Sequence, residues 1–152
     1  MKRIVLIGML VLALAAMTGC LTGTGAQPES GVTPSDGAVA FEVLSRSNWP
    51  TEVADWVARA TQGQGGPVYA GETFGEKTYL LIFGGVLPSE GYTIKFEKVE
   101  AYGGRVTVTA EVKGPSNPWS SRVEMPVAVA RIARHTGPIE FQVSRESGRL
   151  PK

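Results

Sequence analysis

Tyr92-Thr93-Ile94-Lys95-Phe96-Glu97 and, beyond Gly103-Gly104, Val106-Thr107-Val108-Thr109-Ala110-Glu111-Val112 alternate apolar and polar residues with a period of two. In an extended chain that period sends one set of side chains to a core and the other to water. The Gly-Gly pair between the runs predicts a tight hairpin turn. Within the first run the apolar phase moves from Ile94 and Phe96 to Val99 and Ala101. A β-bulge near Glu97-Lys98 reconciles the two phases by adding one residue to the strand.

Upstream of this hairpin, Tyr79-Leu80-Leu81-Ile82-Phe83 is an unbroken apolar run of strand length that stops at Gly84-Gly85. A run without alternation predicts a strand covered on both faces. Earlier still, Val53, Trp56, Val57 and Ala60 recur at the three-and-four spacing of one buried helical face. Pro50 suits the first turn of that helix, and Gly63, Gly65 and Gly66 stop it. Val39 to Leu44 reads as an opening strand, and Ile139-Glu140-Phe141-Gln142-Val143 as the last. Val123, Met125, Val127 and Val129 propose another strand, in which Pro126 demands an edge or a bulge. The expectation is an α+β domain over residues 39–147, with a predominantly antiparallel β-sheet or partly closed barrel and one N-terminal helix. Residues 148–152 are left as a tail.

The first twenty residues differ in kind. Lys2-Arg3 is followed by an uncharged run from Ile4 to Ala16, then Met17-Thr18-Gly19-Cys20. Basic start, short apolar middle and small residues before a cut form the plan of an export signal, and the apolar part is too short to remain as a membrane span. Thr18-Gly19-Cys20 resembles a bacterial lipoprotein lipobox, and Cys20 is the chain's one cysteine. The resemblance implies cleavage after residue 19, a diacylglycerol on the Cys20 sulfur and a fatty acyl group such as palmitate on the freed amine. Several acyl chains hold a protein firmly to a membrane. Residues 20–38, rich in Gly, Thr, Ser and Pro, read as a tether with a root-mean-square reach of roughly 23 Å. The expected location is the cell envelope, on the outer face of the cytoplasmic membrane or at the outer membrane.

Charge and residue inventory narrow the function classes. Fifteen Lys and Arg against fourteen Asp and Glu leave a formal charge of +1, without the basic footprint of a nucleic-acid binder. The chain has one histidine, His135, in Arg134-His135-Thr136-Gly137-Pro138, a turn-like segment where an exposed or capping role is expected. No Gly-x-Ser-x-Gly motif supplies a nucleophile, and no second His or Cys supports a transition-metal site. Gly63-Gln64-Gly65-Gly66 and Gly84-Gly85 do not open a helix after a strand as phosphate-binding loops do. The expectation is a binding protein without catalytic residues, cofactor or metal. Pro115-Ser116-Asn117-Pro118-Trp119 offers a stiff loop with a large aromatic, the kind of anchor that interfaces use.

Tyr79 to Ile94, with its apolar strand, Gly84-Gly85, the Leu87-Pro88-Ser89-Glu90-Gly91 loop, Tyr92 and an alternating strand, resembles the PrcB C-terminal-like family. The resemblance continues through Gly103-Gly104 and Thr107-Val108-Thr109 to Met125-Pro126-Val127-Ala128-Val129-Ala130-Arg131-Ile132. It implies a protein-binding subunit that associates with, stabilises or restrains an exported subtilisin-like protease, with no proteolytic activity of its own. The expected partner contacts are Leu87, Pro88, Ser89, Glu90, Gly91 and Trp119. A rival reading is an envelope lipoprotein that binds a small apolar ligand, or another envelope component, in a cavity on the sheet's concave side. A solidly filled interior counts against that rival.

Overall fold

The computed structural model describes residues 36–115 and 122–146. The described elements are β1 (Gly37–Ala38), β2 (Glu42–Leu44), a single 3-10 turn at Arg46–Asn48, α1 (Thr51–Thr61), β3 (Val68–Phe74), β4 (Lys77–Phe83), β5 (Thr93–Tyr102), β6 (Arg105–Lys113), β7 (Val127–Ala133) and β8 (Ile139–Glu146). They form two four-stranded sheets, ordered β1-β5-β6-β8 and β2-β7-β4-β3, and no closed barrel. The fold is α+β and mostly antiparallel. The one parallel pair is β6 with β8, because the chain crosses to β7 in the other sheet before returning.

The hairpin predicted from alternation is present. β5 and β6 pair from Thr93↔Lys113 to Tyr102↔Arg105, and the register shifts between Phe96 and Lys98, leaving Glu97 as the bulged residue. Phe96, Val99 and Ala101 are therefore all buried on one face, with Val106, Val108 and Ala110 opposite them. Gly103 and Gly104, at φ +57° and +77°, make the turn that L side chains resist.

β4 is covered on both sides, as its unbroken apolar run requires. Leu80 and Ile82 point between the sheets and meet Phe96, Val106, Val108 and Ile132. Tyr79 and Leu81 point the other way, toward Val53 and Val57 of α1. The layers are thus sheet, sheet and helix, and Trp56 closes the helix layer with its ring edge-on to Phe74 at 6.0 Å. Hydrophobic burial on both faces of one strand makes β4 the centre of the molecule.

Four readings from sequence are corrected. Val68–Phe74 forms a strand where none is expected, because β4 offers it a full ladder from Val68↔Phe83 to Phe74↔Lys77. β7 begins only at Val127; Pro126 has no N–H to give a ladder, and Val123 and Met125 are left 62% exposed. Gly37 and Ala38, placed in the tether by composition, pair with Ala101 and Glu100 of β5. His135 is not an exposed or capping residue but is only 4% exposed. Its main chain is held at a corner: the His135 N–H donates to Thr78 Oγ1 at 2.8 Å, and the Thr73 and Thr78 hydroxyls lie 3.0 and 3.1 Å from its carbonyl oxygen.

Candidate functional site

The two ends of the sandwich differ. One end carries the Gly75-Glu76 and Gly103-Gly104 turns and the corner at His135. The other carries the chain between β4 and β5, the described residues 114, 115 and 122–126 between β6 and β7, and the connection from α1 to β3. Long loops on a rigid scaffold are where binding residues concentrate. Leu87 to Gly91 falls at this loop end, and so do Pro115 and Arg122, which flank the segment holding Trp119. Trp119 itself, Cys20 and residues 1–19 lie outside the described residues.

The loop end is built from backbone pairing. Leu87 and Glu124 form an antiparallel bridge, N–H to carbonyl oxygen in both directions at 2.8 and 3.0 Å. The Glu124 carboxylate accepts the Tyr92 N–H at 2.9 Å, fixing the start of β5 to the same bridge. Gly84 N–H donates to the Pro126 carbonyl at 2.9 Å, and Val86 N–H to the Gly65 carbonyl at 3.1 Å. Arg145, at the end of β8, donates to the Gly84 carbonyl at 2.6 Å and so ties the two sheets together here.

The glycines answer to different demands. Gly85 sits at φ +85°, and a Cβ on it would lie 2.9 Å from the Gly66 carbonyl carbon and 3.1 Å from the Pro67 nitrogen. Gly84 needs no unusual φ; its side chain is excluded by Pro126 Cγ, 2.8 Å from where a Cβ would stand.

Strand alternation about the Leu87↔Glu124 bridge decides which side chains face out. Leu87 and Glu124 turn toward the domain and are partly buried. Val86 and Met125, and Pro88 and Val123, are the cross-bridge neighbours on the other face. Val86 is 46% exposed, Val123 and Met125 62% each, and Pro88 is exposed as well. They make a small apolar patch in a place where nothing in the described residues covers it. Glu90 lies 3.5 Å from Arg122 at its border.

Of the loop residues expected to meet a partner, Pro88, Glu90 and Gly91 are exposed and Leu87 is partly so. Ser89 is 2% exposed, and its Oγ has no hydrogen-bond partner among the described residues, so it serves the loop's interior. Reading the sequence missed Val86, Val123 and Met125 as surface residues. The signal was Pro126, which has no N–H for the ladder and marks the start of β7 after Met125.

Other places carry less chemistry. The region between the sheets is filled by Leu80, Ile82, Val106, Val108 and Ala110, all without solvent exposure, which counts against an internal cavity for an apolar ligand. A surface groove of about 360 Å³ lies beside β2, lined by Phe41, Glu42, Lys77 and Arg131 among others. Arg131 and Glu42 are joined across it at 2.8 Å, so its polar lining is already engaged. The hydroxyls that reach His135 contact its main chain; its ring Nε2 is 3.4 Å from the Pro138 carbonyl oxygen. Among the described residues no group of three His, Cys, Asp or Glu is placed to hold a metal ion, and no helix is long and apolar enough to cross a membrane.

No curated protein and no solved structure matches the chain significantly. The run from β4 through β7, with the Leu87–Gly91 loop, the Leu87↔Glu124 bridge and the apolar patch inside it, matches over residues 78–133 the family model described as PrcB C-terminal, which supports placing the chain in the PrcB C-terminal-like family.

Proposed function

We propose that this chain is a non-enzymatic binding domain that associates with an exported, subtilisin-like protease and stabilises or restrains it. The match of residues 78–133 to the PrcB C-terminal family carries the reading, because that segment contains the Leu87–Gly91 loop and the Leu87↔Glu124 bridge of the loop end. A solid two-sheet core with the connections 62–67 and 84–92 gathered at one end supports it. A lipid on Cys20 holds the domain at the cell envelope, so that association takes place close to the membrane surface.

The test is recovery of the full chain from its native membrane through a C-terminal tag, followed by assay of the recovered protease. Wild type should bring down a subtilisin-like protease and change its activity or lifetime; a Cys20→Ala version should bring down less. Absence of any effect of the purified chain on the activity and lifetime of co-exported serine proteases refutes the proposal.

A further inference from the structure

The molecule has a polarity that the binding reading does not use. The described chain begins at Asp36, whose Oδ1 accepts the Gly103 N–H at 2.9 Å, so the segment leading back to Cys20 departs beside the Gly103-Gly104 turn. β5 runs from the loop end at Thr93 to this turn at Tyr102. Its ten residues span roughly 30 Å at strand rise. The apolar patch and the departure point of the N-terminal segment are therefore at opposite ends of the sandwich.

We infer that the patch of Val86, Pro88, Val123 and Met125 is the docking face for an exported protein, presented away from the membrane that holds Cys20. This rests on the proposed anchoring and binding function and adds where the partner sits and what it offers. Two observations favour a protein over lipid. A lipid on Cys20 is joined to the domain through the chain that enters at Asp36, so the Gly103 end is the one held nearer the bilayer and the patch lies roughly 30 Å along β5 from it. The charged groups at this end balance: Glu90 lies against Arg122 and Lys113 against Glu146, while Glu124 and Arg145 are engaged with the backbone at Tyr92 and Gly84. Such pairs lack the surplus of positive charge that draws a surface to anionic headgroups. The matching surface is apolar and uncharged at its centre. Met125, unbranched and exposed, adapts to the shape it meets.

The experiment uses the full chain in its native membrane with a photocrosslinking amino acid at position 125 or, in a second version, at position 102. Tyr102 is 59% exposed at the opposite end and gives the control. The expected result is an adduct with one exported protein, identified by mass spectrometry, from position 125 and none from position 102. A Val123→Asp change in the same chain should lower its yield on the order of tenfold, the loss of one central contact. Val123 is exposed, and an unchanged melting curve will show that this variant remains folded. A lipid adduct or a second copy of this chain at position 125 overturns the inference. An adduct from position 102 alone, or from neither position, does the same. If position 125 captures an exported protein that is not a protease, the docking face stands and the protease reading falls.

Discussion

Replacing Gly85 with alanine should cost far more than the same change at Gly104, although both residues have positive φ. At +85° and +77° they share the penalty for an L side chain in the left-handed region, roughly 1–2 kcal/mol. A Cβ on Gly104 meets nothing within 4 Å, so the backbone penalty is the whole cost there. A Cβ on Gly85 stands 2.9 Å from the Gly66 carbonyl carbon and 3.1 Å from the Pro67 nitrogen. These are main-chain atoms that cannot swing aside, and relieving such overpacking costs typically about 1–3 kcal/mol more. Gly85→Ala is therefore expected to lose about 2–5 kcal/mol and Gly104→Ala about 1–2 kcal/mol. For a domain of this size each kcal/mol moves the melting midpoint by about 5 °C. Urea unfolding followed by circular dichroism measures both variants against wild type. The same clash forces Gly65–Pro67 away from Val86, whose N–H donates to Gly65, so Gly85→Ala should also weaken partner docking while Gly104→Ala leaves it intact. Equal losses from the two substitutions would show that the 84–92 and 63–67 segments are not packed as described.

Three further outcomes are expected. Leu80→Ala removes a side chain without solvent exposure from the strand covered on both faces and should cost about 2–5 kcal/mol in urea unfolding; a loss below about 1 kcal/mol would mean that β4 is not central. Glu124→Ala deprives the Tyr92 N–H of its acceptor, at a cost of about 1–3 kcal/mol. It should speed amide exchange at Tyr92, whereas Glu124→Gln keeps an acceptor oxygen and should exchange nearly as slowly as wild type. Lys98 is held above its usual pKa of 10.5 by its hydrogen bond to Glu100 and by that carboxylate's charge. A raised folded-state value means that any stabilisation from the pair is present below pH 10.5 and is lost as pH rises through the folded-state pKa. NMR titration of a Glu100→Gln variant should find Lys98 returned toward 10.5, and an unchanged value would show that the pair does not form.

The features legible in the sequence are those whose cause lies within a few residues. The period of two over Thr93–Glu97 and Val106–Val112, and the change of phase at Glu97, follow from the geometry of an extended chain, and the bulge sits at Glu97. The three-and-four spacing of Val53, Trp56, Val57 and Ala60 likewise marks the helix face that meets β4. The Leu87–Gly91 loop was legible because glycine and proline announce a change of direction. Its inward Ser89 was not, since burial of a short polar side chain depends on what folds over it.

By itself the sequence determined the helix, the β5–β6 hairpin, the burial of β4 on both faces and the likeness of 78–133 to the PrcB C-terminal family, because local period, turn chemistry and apolar runs act before distant segments meet. Only the tertiary structure decided the rest. Val68–Phe74 carries no clean alternation, and it is a strand because β4 supplies its hydrogen bonds; Gly71 within it leaves the room that the tip of the Ile139 side chain occupies. The division into two sheets and the parallel pairing of β6 with β8 depend on where the chain returns after β7, which no local pattern encodes. His135 became buried because Thr78 holds its backbone at a corner between sheets, and Val123 and Met125 became surface because the Leu87↔Glu124 bridge turns Glu124 inward and its two neighbours outward.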